Sequence, residues 1–256
     1  MKVVILAGGF GTRLAEYTSS VPKPMVFVGD KPIIWHIMNT YAKYGHKKFI
    51  IALGYKSQVV KDYFLNYKQL NSDCDINLAT GEVFYHSSNS TLDWELTLVD
   101  TGLNTMTGGR LKRLQKFIGN ESFLLTYGDG LSNVNINQLI KFHKNHKKMI
   151  TLTAVRPNAR FGELEISQNN SVDSFVEKPQ LKQGWVNGGF FVIEPKFLNF
   201  IKDDNTYLER EPLVNAYEQN QLMAYKHNGF WQCMDNKRDK DLLEKLNTLS
   251  PPPWLN

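Results

Sequence analysis

The sequence predicts an α/β fold in which a mainly parallel sheet is covered by helices on both faces. Strand-like apolar runs alternate with amphipathic segments through the first half of the chain, which is the βαβ order of such sheets. The chain has 256 residues, of which 42% are hydrophobic, so it can bury a sizeable core. It shows neither internal repeats nor a low-complexity linker, and we therefore predict a single domain over residues 1–256.

Apolar periodicity indicates the elements of the first half, and one helix also carries sequence signals for its start and its end. Pro32 suits the first position of that helix, and Gly45 closes it. In chain order we predict a strand at 3–6, a helix at 32–44, a strand at 49–53, a helix at 57–67, a strand at 123–126, a helix at 136–146 and a strand at 150–155.

The pattern changes between about residues 73 and 108. Segments 75–85 and 96–100 alternate like strands, which predicts a small inserted β lobe beside the mouth of a ligand site. Beyond residue 162 the elements are shorter and end in a proline-rich tail. There we predict strands at 164–166, 172–176 and 189–193, and helices at 209–219 and 238–247.

Composition argues against several classes of protein. The net charge is +5, but the basic residues are spread out, so we expect anionic substrates and no nucleic acid as partners. Cys74 and Cys233 form no CxxC motif and predict a reducing, cytoplasmic compartment without a cysteine-rich zinc site. No apolar run reaches the ~18 residues of a membrane span, and the apolar start is too short for a signal peptide.

A glycine-rich loop follows the first predicted strand. Its glycines bring bare backbone to the carboxyl end of the strand, where open α/β sheets bind ligands. Arg13 and Lys23 add positive charge beside the exposed N–H groups. The sequence therefore predicts a polyphosphate-binding loop formed by Leu6, Ala7, Gly8, Gly9, Gly11 and Thr12.

Two commoner glycine loops fit the segment less well. A Walker loop needs a lysine and then a hydroxyl residue directly after its last glycine, whereas Thr12 and Arg13 follow Gly11. A dinucleotide fingerprint needs a third small residue where Leu14 stands, and an acidic residue at the end of the next strand. Asp30 has the right spacing but lies in a predicted turn, so a NAD-dependent oxidoreductase is disfavoured.

Polar groups also lie at the ends of three later predicted strands. Asp129, flanked by glycines, is either a Mg²⁺ ligand or a turn residue. Glu177 and Lys178 suit a sugar hydroxyl and a sugar phosphate, or form a solvated ion pair. Asn187 and Gly188 either line a sugar pocket or mark a bulge or a turn. The residues alone leave these alternatives open.

Five motifs that follow one another along the chain resemble the signature of the sugar-1-phosphate nucleotidylyltransferases. The resemblance covers nearly the whole chain, and segments 97–102 and 107–113 look like those of the glucose-1-phosphate cytidylyltransferases. The motifs are residues 6–14 with Lys23-Pro24, Tyr127-Gly128-Asp129-Gly130, Glu177-Lys178-Pro179, Asn187-Gly188-Gly189, and residues 230–239 with Asp235.

The resemblance implies a fold, a reaction and a cofactor. The expected fold is Rossmann-like, of the nucleotide-diphospho-sugar transferase type. The expected reaction converts CTP and α-D-glucose 1-phosphate into CDP-glucose and pyrophosphate, with Mg²⁺ held by Asp129 and Asp235. A homo-oligomer is expected as well.

The resemblance also implies roles for individual residues. Arg13 is expected to steady the leaving pyrophosphate, Lys23 the reacting phosphates, and Lys178 the incoming phosphate. Thr105 and Arg110 are expected to face the nucleotide, with the Arg110 guanidinium bonding O2 and N3 of cytosine. Gly128 is expected beside the nucleotide, and Glu177, Lys178, Asn187 and Gly188 around the sugar phosphate.

Two rivals to this reaction remain at the level of sequence. The first is the same reaction with another pyrimidine nucleotide or sugar 1-phosphate. The second is a nucleotide-sugar-binding regulator without turnover, which should lack at least one charged group of the expected site. All five of these groups are present, which favours the enzyme: Arg13, Lys23, Asp129, Lys178 and Asp235.

Overall fold

The computed structural model describes residues 1–86, 92–157, 163–167, 171–176 and 184–256. Its strands are β1 (Val3–Leu6), β2 (Phe27–Val28), β3 (Lys31–Pro32), β4 (Lys48–Leu53), β5 (Cys74–Ile76), β6 (Val83–Tyr85), β7 (Glu95–Asp100), β8 (Phe123–Tyr127), β9 (Gly130–Ser132), β10 (Ile150–Val155), β11 (Glu163–Ile166), β12 (Val172–Val176), β13 (Val186–Asn187), β14 (Phe191–Ile193), β15 (Leu222–His227) and β16 (Trp231–Cys233).

Helices of very different length connect these strands. The α-helices are α1 (Ala15–Thr18), α2 (Ile33–Ala42), α3 (Ser57–Leu65), α4 (Tyr67–Leu70), α5 (Thr107–Arg113), α6 (Gln115–Ile118), α7 (Ile136–His146), α8 (Glu211–Glu218) and α9 (Lys237–Asn247). Short 3₁₀ helices lie at Thr12–Leu14, Lys23–Met25, Pro195–Phe200 and Pro253–Leu255. Within the described ranges, each helix falls short of the length and apolar character that a membrane span requires.

The central sheet is mixed but mainly parallel, which confirms the predicted fold class. Its strands lie in the order β7, β4, β1, β8, β14, β10 and β15, and β13 pairs with β10 beside β14. Strands β7, β4, β1 and β8 run parallel, as do β10 and β15. β14 runs antiparallel to both of its neighbours, β8 and β10.

Alternating side chains of the strands build one core on each face of the sheet. Val3 and Ile5 of β1 point to the face covered by α2, α3, α7 and α9. Val4 and Leu6 point to the other face, which is covered by α5, α6 and α8. Strands buried on both faces are expected to be apolar throughout, and β1 is fully buried.

The predicted inserted lobe is smaller than expected. Strands β5 and β6 form a two-stranded antiparallel hairpin that is exposed along its length. The other predicted strand of the lobe, observed as β7, instead pairs in parallel with β4 at the edge of the central sheet. Leu96 and Leu98 pack against the core of that sheet, which explains why β7 joins it.

Candidate active site

An open cavity of about 740 Å³ lies at the carboxyl ends of β1 and β8. The position is the one expected for ligands of an open α/β sheet. The predicted residues that line it are Leu6, Ala7, Gly8, Gly9, Gly11, Thr12, Arg13, Lys23, Thr105, Arg110, Gly128, Asp129 and Asp235.

The glycine loop is fixed at its start and turns sharply at its end. The Ala7 N–H donates to the carbonyl of Ala52 (3.0 Å), and the Tyr55 N–H donates to that of Gly8 (3.1 Å), which ties the loop to the end of β4. Gly11 has a φ of 65°, a left-handed conformation that glycine adopts without strain, and the 3₁₀ turn Thr12–Leu14 follows it. The loop thus presents its backbone to the cavity.

Four charged side chains form a cluster on one side of the cavity. The ammonium of Lys23 lies 2.7 Å from a carboxylate oxygen of Asp129 and 2.7 Å from one of Asp235. The Arg13 guanidinium contacts the other oxygen of Asp235 at 2.7 Å. The sequence predicted each of these four residues, and the structure brings them together.

The cluster shifts the protonation of two of its members. Burial disfavours the charged form of Lys23, but the carboxylates of Asp129 and Asp235 outweigh it and raise the pKa of that ammonium. Burial likewise opposes the ionisation of Asp235, yet hydrogen bonds from Lys23 and Arg13 lower the pKa of its carboxyl group. Both groups are therefore charged near neutral pH.

Two neighbouring elements position the carboxylates. Asp129 follows β8 and precedes β9, and β9 pairs with β16 so that Gly130 lies opposite Cys233. The Met234 N–H donates to the Asp129 carbonyl at 2.8 Å, which holds the two segments together. Asn236 caps α9 by accepting from the Asp239 N–H, so the capping oxygen comes from Asn236 and the Asp235 carboxylate stays with Lys23 and Arg13.

The residues present fit a Mg²⁺ ion of the kind that binds with nucleotide phosphates. Mg²⁺ is commonly held by one or two carboxylates and completes its shell with water and phosphate oxygens. Asp129 and Asp235 supply two carboxylates that the same ammonium already brings together. Among the described residues no group of three or more acidic, histidine or cysteine side chains forms a self-sufficient metal site.

A smaller cavity of about 230 Å³ adjoins the first and shares Tyr127, Asp129 and Asp235 with it. Asn187 and Gly188 line this second space. The Trp231 indole N–H donates to the Gly188 carbonyl at 2.8 Å, and this bond fixes the wall. The second cavity therefore brings Asn187 and Gly188 beside the two carboxylates. The predicted residues Glu177 and Lys178 lie outside the described ranges.

Arg110 lines the main cavity, but much of its guanidinium is engaged by the protein itself. The side chain is only 4% exposed, and its Nη1 donates to the Leu53 carbonyl, the Thr101 hydroxyl and the Gly102 carbonyl. Nη2 donates to the Leu103 carbonyl at 3.0 Å. Burial lowers the pKa of Arg110, though not enough to discharge a guanidinium. A cytosine base would have to bond the remaining N–H groups of Arg110. Fewer donors are therefore available for the predicted pair of hydrogen bonds to O2 and N3.

Sequence reasoning missed an acceptor on the opposite wall of the cavity. The Tyr127 hydroxyl and the Thr107 hydroxyl each donate to the Glu209 carboxylate at 2.7 Å. Burial of the ring and the negative charge of Glu209 raise the pKa of Tyr127, which keeps the phenol protonated. Tyr127 could have been found beside the Gly128-Asp129 motif, whereas Glu209 has no local signal because it reaches the site only through tertiary structure.

Comparisons with known protein sequences find nucleotidyl transferases. The family model described as "Nucleotidyl transferase" matches residues 2–238. The chain is 49% identical to the glucose-1-phosphate cytidylyltransferase of Salmonella typhi over 99% of this chain and 98% of the relative. It is 42% identical to a probable glucose-1-phosphate cytidylyltransferase of Bacillus subtilis strain 168, over 95% and 94% of the two chains.

Solved structures share the fold at lower identity. HddC from Yersinia pseudotuberculosis superposes with a TM-score of 0.69 at 21% identity, and the match covers 95% of this chain and 98% of the other. A UDP-glucose pyrophosphorylase complexed with UDP-glucose has a TM-score of 0.67 at 16% identity, covering 95% and 97%. These structures share the fold of this chain.

Proposed function

The chain belongs to the nucleotidyl transferase family and, within it, to the glucose-1-phosphate cytidylyltransferases, and from this membership we propose that it forms CDP-glucose and pyrophosphate from CTP and α-D-glucose 1-phosphate. The 49% identity over nearly the full length of both chains carries the proposal. The cavity supports it, because a glycine loop and a cluster of two cations and two carboxylates line a space of nucleotide size.

The reaction needs positioning and charge neutralisation more than a protein nucleophile. A phosphate oxygen of glucose 1-phosphate attacks the α-phosphorus of CTP in line and forms the new P–O bond. The bond from that phosphorus to the bridging oxygen breaks on the opposite side, and pyrophosphate leaves with the electron pair. The loop N–H groups and the cations Arg13 and Lys23 bind the phosphates, and Lys178 is assigned to the incoming phosphate by the resemblance alone.

Mg²⁺ is the proposed cofactor, and Asp129 and Asp235 are the residues that would hold it. A bound Mg²⁺ supplies positive charge to the phosphate oxygens and orients them. Lys23 forms ion pairs with both carboxylates in this structure, and in the proposed reaction its ammonium binds the phosphates.

The adjoining cavity is the proposed place of the sugar. Asn187, Gly188 and Trp231 form one wall, and Tyr127 lies between the two cavities. In the main cavity, the Glu209 carboxylate retains lone pairs beyond those used by Tyr127 and Thr107, so it offers an acceptor to a ligand hydroxyl there. Thr105 and Arg110 are proposed to face the base, as the resemblance implies.

Direct detection of the products tests the proposal. Purified protein incubated with CTP, glucose 1-phosphate and Mg²⁺ is expected to give CDP-glucose and pyrophosphate in equal amounts by ³¹P NMR. EDTA should abolish turnover, and excess Mg²⁺ should restore it. Failure to form any nucleotide sugar while CTP still binds would favour the regulator over the enzyme, and full turnover in EDTA would refute the metal.

Matched carboxylate variants locate the cofactor. Asp129→Asn and Asp235→Asn are each expected to lower kcat by about 10²-fold or more, because several kcal/mol of charge stabilisation is lost. Asp241→Asn is the control, since Asp241 is an exposed carboxylate of α9 whose ion-pair partner among the described residues is Lys237. A kcat for Asp129→Asn equal to that of the control would contradict the assignment.

We further propose a homo-oligomer and a cytoplasmic location. The exposed hairpin β5–β6 carries large apolar side chains, which supports association with a second copy of the chain. Cys74 and Cys233 are free thiols, which supports a reducing compartment.

A further inference from the structure

A second large cavity lies at the other end of the strands of the central sheet, away from the active cavity. Its volume is about 690 Å³, within the usual range for small-molecule sites. Asn120 precedes β8, Met149 precedes β10, Glu194 follows the antiparallel β14, and Gln221 precedes β15; all four line the cavity. Because the active cavity lies at the carboxyl ends of β1 and β8, the two spaces are separated by the length of the strands.

Positive charge dominates the lining of this cavity. Lys144, Lys147, Lys148 and Lys196 surround it, and Glu194 is its one acidic lining residue. Within the described part of the chain, none of the four lysines makes an ion pair. Four ammonium groups around one concavity repel one another unless an anion enters between them.

The acidic residue is held in place by a buried network. The His143 side chain is only 2% exposed; its Nδ1 lies 2.8 Å from the Thr151 hydroxyl and its Nε2 lies 3.1 Å from the Glu194 carboxylate. The Ser122 hydroxyl donates to the same Glu194 oxygen at 2.6 Å. Glu194 is therefore turned toward His143 and Ser122, and forms no ion pair with the lysines.

The end of α7 does not account for the excess charge. The helix ends at His146, and a helix C-terminus carries a partial negative charge of about half an elementary charge. One lysine would offset this dipole. Four lysines leave a net positive field in the cavity even after Glu194 is counted.

We infer that this lysine-lined cavity is a binding site for a small molecule that bears two or more phosphate groups. Several ammonium groups and one concave surface suit clustered phosphate oxygens, while Met149 and Pro195 offer apolar contact to the remainder of the ligand. The inference goes beyond the proposed function and does not rest on it, because no residue of the active cavity takes part.

Calorimetric titration with inorganic tripolyphosphate tests the inference, since this probe suits both cavities. We expect two sites per chain in the unaltered protein. The Arg13→Ala, Lys23→Ala double variant should lose the active-cavity site and keep the other. The variant Lys144→Gln, Lys147→Gln, Lys148→Gln, Lys196→Gln should keep the active-cavity site and weaken the second by about tenfold or more, since four modest ion pairs act together.

A matched variant separates a built site from a general charge effect. Lys61→Gln, Lys68→Gln, Lys141→Gln, Lys245→Gln removes the same charge from lysines that line neither cavity. This control should retain both sites. A single site in the unaltered protein, a second site that survives in the lysine variant, or equal loss in the control would overturn the inference.

Chemical footprinting gives a readout that needs no variant. Tripolyphosphate should protect Lys144, Lys147, Lys148 and Lys196 from acetylation in the intact protein, as measured by peptide mass spectrometry. Lys61 and Lys68 should react at an unchanged rate. Equal reactivity of the cavity lysines with and without the probe would contradict the inference, whether or not the protein turns over CTP.

Discussion

Lys23 shows how one side chain can organise the candidate active site. Its ammonium joins two carboxylates that lie 106 positions apart in the sequence, Asp129 and Asp235. The Lys23 side chain is 13% exposed, so this ion triad is screened less than a surface pair. Two carboxylates so close together would repel each other without the cation. Lys23 therefore keeps a pair of anionic ligands in place before any phosphate arrives.

Arg110 is expected to have a structural role as well as a role toward the base. Arg110→Ala removes the hydrogen bonds of a buried guanidinium and takes this donor from the part-buried Gly102 and Leu103 carbonyls, so the free energy of unfolding should fall by about 2 kcal/mol or more. If the remaining donors contact cytosine, the ratio of kcat/KM for CTP over UTP should narrow by roughly tenfold.

The neighbouring arginine of α5 is the control for this prediction. Arg113 is exposed and pairs with Asp204, so Arg113→Ala should cost at most about 1 kcal/mol and leave the CTP to UTP ratio unchanged. Denaturant titration and initial-rate kinetics measure the two quantities. An Arg110→Ala protein that is less stable but keeps its CTP to UTP ratio would show that Arg110 supports the loop and does not read the base.

Cys233 is expected to resist thiol reagents. Burial, together with the nearby carboxylates of Asp129 and Asp235, raises the pKa of its thiol to about 12. Only about 10⁻⁴ of the thiol is then ionised at pH 8, and its reactivity should rise about tenfold per pH unit. Cys74 is exposed.

Labelling of the folded protein with Ellman's reagent at pH 8 should therefore show one fast and one very slow thiol. In Cys74→Ser the fast phase should disappear and the slow phase should remain. A fast phase that persists in Cys74→Ser, or a Cys233 rate that stops rising above pH 9, would contradict the raised pKa.

At the scale of elements, sequence patterns located the buried parts of the fold well. The helix at 136–146 and the strands at 3–6, 150–155 and 172–176 lie where they were predicted. The patterns of the helix at 136–146 and of the strands at 3–6 and 150–155 are strong because one or both of their faces are buried. The helix predicted at 57–67 instead breaks at Asn66 into α3 and α4, since asparagine adopts non-helical conformations readily.

Elements whose partners are distant in sequence could not be predicted. The burial of β15 alternates only weakly because this strand lies at the sheet edge, and the sequence pattern did not predict it. β16 is three residues long and depends on β9 for its pairing. The glycine loop and its cations could be predicted, because they are contiguous with β1. Glu209 could not, since its two hydrogen bonds join residues 82 and 102 positions away.

The close approach of α5 to the segment before α8 requires glycine. The N–H groups of Gly108 and Gly109 both donate to the Thr206 carbonyl, and a Cβ on Gly109 would meet the backbone of Asp204 at 2.5 Å. Gly109→Ala is expected to lower the free energy of unfolding by about 1–3 kcal/mol through overpacking. The gain in helix propensity, about 1 kcal/mol, offsets part of this cost.

Gly9→Ala is the matched control. No atom lies within 4 Å of the position a Cβ would take at Gly9, and its φ is not left-handed. Urea denaturation should therefore show little change for Gly9→Ala. A Gly109→Ala protein as stable as Gly9→Ala would contradict the tight packing of α5.

At the scale of the whole molecule, the hairpin β5–β6 carries the proposal of a homo-oligomer. Leu78 in its turn is 92% exposed and Phe84 is 66% exposed, and apolar surface of this kind favours association. Leu78→Glu with Phe84→Glu should shift the molar mass measured by light scattering toward that of one chain. The monomer should stay folded, because neither side chain belongs to a core.

An exposed aromatic on another element serves as the control for the hairpin. Tyr217 of α8 is 72% exposed, and Tyr217→Glu should leave the molar mass unchanged. A single chain in solution before any substitution would refute the homo-oligomer. An oligomer whose molar mass is unchanged in the hairpin variant would show that the interface lies elsewhere.

The central claim is that this chain transfers a cytidylyl group to glucose 1-phosphate, and a competition assay tests it most directly. Equal concentrations of CTP, UTP, dTTP, ATP and GTP are supplied with limiting glucose 1-phosphate and Mg²⁺, and the nucleotide sugars formed are separated by chromatography and identified by mass. We expect CDP-glucose to exceed each other product by about tenfold or more, since an unpaired buried polar group costs about 1–3 kcal/mol. A mixture dominated by another nucleotide sugar would contradict the claim.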